Sequence, residues 1–89
     1  MTAFTLHITN EKGLHARASA KFVEVVEGHD ASALVAKDGM TVSGDSIMGL
    51  LMLAASKGTS VDVSTGGLQA EMLAEALKAL IANRFGEEC

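Results

Sequence analysis

Proline, tryptophan and tyrosine are absent from this 89-residue sequence, cysteine occurs once, and three phenylalanines are its only aromatic residues. The missing proline fits a chain in which no linker, repeat or low-complexity segment is evident. So few rings leave little on which nucleic-acid bases could stack. Charge argues the same way: seven Lys+Arg stand against eleven Asp+Glu, a formal net charge of −4, and no basic block occurs. Both observations speak against nucleic acid as the main partner.

The lone cysteine, Cys89, has no second thiol to pair with, and a terminal free thiol suits a reducing compartment. The start, Met1-Thr2-Ala3-Phe4-Thr5-Leu6-His7, lacks the basic region and the apolar stretch of a signal peptide. The longest apolar run, Leu50 to Ala55, is far short of the ~20 residues that a membrane span needs. A cytoplasmic protein with no membrane partner is the expectation. What is present is a globular composition, 48% apolar and 20% charged. A chain of this length buries roughly 60–65% of the surface that its unfolded form exposes, enough for one core, so residues 1–89 are read as a single domain.

The periodicity changes several times along the chain. Phe4 to Ile8 alternates apolar and polar residues, as a strand with one wet face does. After the loop Asn10-Glu11-Lys12-Gly13, the stretch Ala16 to Glu27 turns helical, with Ala18, Phe22, Val25 and Val26 on one face and Gly28 placed to stop it as a C′ residue. Ser32–Ala36 and Met40–Val42 read as strands joined at Lys37-Asp38-Gly39, where Asp-Gly readily supplies positive φ. Ser46 caps a Met/Leu-rich helix expected over Ile47–Ser56, although Gly49 inside it costs about 1 kcal/mol of helix propensity. Val61–Ser64 is a fourth strand, Thr65-Gly66-Gly67 a turn, and Leu68–Phe85 a helix with the stripe Met72-Leu73, Ala76-Leu77, Leu80-Ile81. The order βαββαβα, with half-wet strands, predicts an α+β open-faced sandwich: an antiparallel sheet with the helices on one face.

Most catalytic signatures are missing. The sequence has no Cys-x-x-Cys, His-Glu-x-x-His, Walker-type loop or Gly-x-Gly-x-x-Gly, and no metal site is apparent. One segment does carry chemistry, Gly13-Leu14-His15-Ala16-Arg17-Ala18-Ser19. It places a histidine at a helix N-cap, where first-turn amides lack intrahelical acceptors and favour an anion. The helix dipole there favours the neutral, nucleophilic imidazole. If the ring accepted a phosphoryl group, Arg17 could hold its oxygens by charge-assisted hydrogen bonds. From spacing alone a histidine followed by an arginine at a helix start is more commonly a solvated cap, and both readings stand at this point.

The same segment closely resembles the active-site motif of the HPr family, the histidine-containing phosphocarriers of the bacterial phosphotransferase system. Ser43-Gly44-Asp45-Ser46-Ile47-Met48-Gly49-Leu50 resembles that family's regulatory-serine region, and length, element order and Lys57-Gly58 agree. The resemblance implies a four-stranded antiparallel sheet with three helices on one face. It also implies a phosphoryl group received from phosphorylated enzyme I on Nδ1 of His15, stabilised by Arg17, and passed to an EIIA-type acceptor. No cofactor is needed, because the partners supply the remaining groups of the transfer site. It further implies that Ser46 is the site of HPr kinase/phosphorylase, although capping alone would justify a serine there. Ile47, Met48 and Leu51 are expected to form the partner-docking patch of a monomer. His7 is assigned to a wet strand face and His29 to a loop.

The chain departs from the family pattern in having Ala18 where proline is usual, which removes rigidity from the first turn. Asp45 stands where lysine often precedes the serine, adding negative charge beside the docking patch. An alternative is a regulatory phosphoprotein of a nitrogen-type or incomplete phosphotransferase system, acting by partner binding and not sugar uptake. A nucleic-acid-binding α+β domain is the weaker rival.

Overall fold

A computed structural model describes residues 2–86. In chain order the elements are β1 (Thr2–His7), α1 (Ala16–Glu27), β2 (Ser32–Lys37), β3 (Met40–Ser43), α2 (Ile47–Met52), β4 (Ser60–Gly66) and α3 (Ala70–Ala82), followed by a short turn at Arg84–Gly86. The strands form one four-stranded sheet in the order β1-β4-β2-β3, with every neighbouring pair antiparallel. This is the open-faced βαββαβα sandwich expected from the sequence.

Alternation explains the two faces of the sheet. On β4, Val61, Val63 and Thr65 are buried while Ser60 and Asp62 are exposed. Val61 and Val63 share one core with Ala18, Phe22 and Val26 of α1, Leu50 of α2 and Leu73, Leu77 and Ile81 of α3. The wet face carries Thr5, whose hydroxyl donates to Asp62 Oδ1 at 2.9 Å, and His7, whose Nδ1 lies 2.9 Å from Ser60 Oγ. His29 sits just past α1, with Nδ1 2.7 Å from the Val25 carbonyl oxygen.

The hairpin between β2 and β3 forms where Asp-Gly requires it, with φ of 50° at Asp38 and 82° at Gly39. Several boundaries differ from the sequence reading. The first strand occupies Thr2–His7, two residues earlier at its start than the alternation suggested, and Thr65 and Gly66 belong to β4. Gly28 does end α1, as the C-cap itself, with a right-handed φ of −78° and its N–H bonding back to the Glu24 carbonyl. Helix α2 stops at Met52, because Leu53 caps it and Ala54 turns to φ 51°, redirecting a run that is apolar enough to continue. Helix α3 covers only Ala70–Ala82, since Gly67 at φ 106° still belongs to the turn and Arg84 and Phe85 both have positive φ. Cys89 lies outside the described residues.

Gly49 has a packing reason. A Cβ there would meet Val42 Cβ at 3.0 Å, so the missing side chain lets α2 lie close on β3 and offsets its poor helix propensity.

Candidate functional site

The register places the site at one end of the sheet. His7 pairs with Ser60 at the end where the chain enters the loop before α1, whereas Thr2 pairs with Thr65 at the other end. Two loops meet at the first end, residues 8–15 and 53–59. Ile8 N donates to the Thr59 carbonyl at 2.9 Å, Gly58 N donates to Ile8 O at 2.9 Å, and Leu14 N donates to Ala55 O at 2.8 Å. Gly13, at φ 63°, is the contact point: a Cβ would lie 2.3 Å from Ala55 O and 2.8 Å from Ser56 Cα. No other residue fits there without moving backbone.

Side chains finish the cradle. Asn10 is fully buried, and its Nδ2 donates to Gly13 O at 2.8 Å. Leu14 is buried in the core, and Ser19 Oγ donates to Leu14 O at 3.3 Å. Both residues that precede the histidine are therefore held by hydrogen bonds and packing. Outside, Lys57 Nζ reaches Glu11 Oε1 at 2.8 Å and ties the two loops by an exposed ion pair. The hydrogen bond and charge of Lys57 hold the Glu11 carboxyl below the usual carboxylate range, with a smaller contribution from Arg84.

On this base His15 is the N-cap of α1, extended at φ −78° and ψ −178° and half-buried. Its carbonyl accepts from Ser19 N at 2.8 Å, while its side chain makes no capping bond to the helix. Ala16 and Arg17 are exposed in the first turn, and Ala18 is fully buried against the core. An α-helix start leaves the amides of Ala16, Arg17 and Ala18 without intrahelical acceptors, and no acidic residue occupies that turn. A half-buried histidine, a helix N-terminus and an exposed arginine thus lie within three residues of one another, and a helix N-terminus of this kind suits an anion. Among the described residues no group of three or more His, Cys, Asp or Glu could hold a metal ion.

Ser46 belongs to a different construction. It is the N-cap of α2, and its Oγ accepts from Gly49 N at 3.0 Å. Just before it, Ser43 Oγ donates to Asp45 Oδ1. Ile47, Met48, Leu51 and Met52 are all exposed, Met48 most at 73%, whereas Leu50 is fully buried. The far end of α2 runs through Leu53 and Ala54 into Ala55, whose carbonyl holds Leu14, so the predicted docking helix is continuous with the loop that supports His15. A cleft lined by Thr2, Leu68 and Met72 lies at the opposite end of the sheet.

Sequence reasoning named His15, Arg17 and Ser46 but treated Asn10-Glu11-Lys12-Gly13 as plain loop. Asn10 and the backbone of Ala55 and Ser56 were missed as supports. The available signal was an Asn-x-x-Gly between a strand and a helix, since asparagine and glycine commonly close such turns.

A family model described as PTS HPr component phosphorylation site matches residues 2–83. Phosphocarrier protein HPr of Cupriavidus necator is 45% identical over 80 residues, covering 90% of each chain. Phosphocarrier protein NPr of Escherichia coli is 38% identical over 85 residues, covering 94% of each. The crystal structure of HPr-C-His from Thermoanaerobacter tengcongensis superposes with a TM-score of 0.95 at 39% identity, with both chains covered in full.

Proposed function

Because the chain belongs to the HPr family of phosphocarrier proteins, we propose that His15 is its phosphoryl acceptor, charged by phosphorylated enzyme I and discharged to an EIIA-type acceptor. The observation that carries this reading is the half-buried His15 at the start of α1, beside exposed Arg17, on a loop held by Gly13 and Asn10.

The Nδ1 lone pair of His15 attacks the phosphorus of enzyme I phosphohistidine. A P–N bond forms on His15 as the P–N bond on enzyme I breaks, and the donor imidazole leaves with the bonding electrons. Transfer to the acceptor repeats the step with His15 as the leaving group. Throughout, the Arg17 guanidinium and the first-turn amides of α1 neutralise the non-bridging oxygens. Phosphoryl transfer depends mainly on positioning and charge stabilisation, so one fixed ring can serve as half of a site that each partner completes. A shallow setting also keeps the phosphoryl group within reach of the next histidine.

Docking is assigned to the exposed Ile47, Met48 and Leu51 of α2, with the protein acting as a cytoplasmic monomer. No helix among the described residues is long and apolar enough to cross a membrane. Ser46 is assigned to HPr kinase/phosphorylase. A phosphate there adds ~1.5–2 negative charges beside the docking residues and Asp45, and weakens charging by enzyme I through repulsion.

Incubation with phosphoenolpyruvate and enzyme I is expected to give an acid-labile, base-stable label that His15→Ala abolishes. Label that persists in His15→Ala overturns the assignment. The likeness to NPr favours one second reading, a regulatory phosphoprotein of a nitrogen-type system. Under that reading, phosphorylated protein fails to pass its label to a sugar-type EIIA.

A further inference from the structure

Methionine is usually a core residue, yet Met40, Met48, Met52 and Met72 are exposed by 41%, 73%, 64% and 59%. Of these four, Met48 and Met52 are the most exposed, and both lie on α2. Their i, i+4 spacing puts them on one helix face, with Ile47 and Leu51 beside them. Neither belongs to the core, to which α2 contributes Leu50.

We infer that Met48 and Met52 form a peroxide-sensitive pair whose oxidation blocks docking of the phosphoryl donor. The inference rests on the assignment of α2 as the enzyme I docking face. The oxidant is a hydroperoxide. A thioether sulfur lone pair attacks one peroxide oxygen, the O–O bond breaks, and a sulfoxide S–O bond forms. The departing oxygen takes up the proton, so hydrogen peroxide gives water while sulfur loses two electrons and peroxide gains them. The product side chain is polar and chiral. Because these side chains project from the surface, their oxidation changes the chemistry of the face and spares the core. A Met-rich docking surface is adaptable when reduced and wet when oxidised. Reduction by methionine sulfoxide reductases makes the change reversible.

The molecule contains its own controls. Met40 follows the β2–β3 hairpin and Met72 lines the cleft at the end of the sheet remote from His15. Both are open to peroxide, and sulfoxide at either is expected to leave charging unchanged.

The test treats the full chain with hydrogen peroxide, locates the added mass of about 16 Da per sulfoxide by peptide mapping, and measures charging by enzyme I. With sulfoxide at Met48 and Met52, KM for this protein is expected to rise about tenfold with kcat little changed, the scale of losing a central apolar contact. Sulfoxide reductases A and B together restore it. The double variant Met48→Leu, Met52→Leu, which keeps the face apolar, is expected to hold its KM through the same treatment. An unchanged KM with both positions oxidised overturns the inference, as does oxidation that spares α2, or a double variant that loses charging too. The unoxidised variant Met48→Glu, Met52→Glu tests the docking assignment alone. If it charges normally, that assignment falls and the inference with it. If it charges poorly while the sulfoxide protein charges normally, only the redox inference falls.

Discussion

Helix α1 starts on a side chain that makes no capping bond to its own helix, whereas α2 starts on one that does, Ser46 Oγ accepting from Gly49 N at 3.0 Å. Serine is among the preferred caps and histidine is not. The start of α2 is therefore stabilised locally, by its own side chain. The start of α1 is stabilised from outside, through Gly13 and Leu14 seated on the 55–56 backbone and Asn10 bonded to Gly13 O. Support from neighbours means that the start of α1 does not depend on a cap from His15. A cap that serves its own helix gives up an amide to structure.

The sharpest way to break this contrast is Gly13→Ala. The substitution imposes a side chain at φ 63° and drives its Cβ to 2.3 Å from Ala55 O. A left-handed non-glycine residue and a backbone clash together are expected to cost about 3 kcal/mol or more, read from urea denaturation, and charging of His15 falls with it. A loss within about 0.5 kcal/mol, the usual range of surface substitutions, would show that the cradle is not what holds the loop.

That cradle also marks how much of the molecule its sequence discloses. The α1 bounds, Ala16 to Glu27, follow from the apolar stripe and were read to the residue, and Asp38-Gly39 announces its own turn. These features are local. The early end of α2 is not, because Leu50 to Ala55 is apolar throughout and nothing in it marks Ala54 for φ 51°. The reason is tertiary: Ala55 O is needed by Leu14 N, more than forty residues earlier. His15 and Arg17 were likewise legible as a motif, while Asn10 was hidden because its partner, Gly13 O, exists as an acceptor only in the folded loop.

Arg17→Ala probes the chemical half of the comparison with little effect on the structural half. The side chain is exposed, so stability is expected to stay within about 0.5 kcal/mol. Charging should drop about 10- to 100-fold, the scale of a charge-assisted hydrogen bond of ~1.5–3 kcal/mol. Rapid-quench measurement of His15 label checks it, and a rate within about twofold of the parent removes Arg17 from the site.

At Ser46 the two roles separate by substitution. Ser46→Ala removes the acceptor for Gly49 N and is expected to cost ~1 kcal/mol of stability without slowing charging. Ser46→Asp keeps a capping oxygen, so stability should remain near the parent, while the added charge beside Ile47 and Met48 raises KM for enzyme I. If both variants change stability and charging together, capping and docking are not separable there and the contrast between the two helix starts loses its force.

The smallest effect concerns the exposed ion pair that ties the two loops. Lys57 holds the Glu11 carboxyl below its ordinary range, first by hydrogen bond and then by charge. A carboxylate with a lowered folded pKa binds protons less readily than in the unfolded chain, so its stabilisation is present above the unfolded value and is lost as pH falls through the folded one. Wild-type stability should therefore decline between about pH 5 and pH 3 more steeply than that of Glu11→Gln, whose amide does not titrate. Both partners are more than half exposed, so the difference should also shrink with added salt. Thermal midpoints of the two proteins at low and high salt across this range provide the measurement. Curves that stay parallel would mean that the backbone bonds at Ile8, Gly58 and Leu14 hold the loops without help from the surface pair. In that case the support of His15 is entirely a matter of buried backbone geometry, and the contrast with the self-capped α2 becomes sharper still.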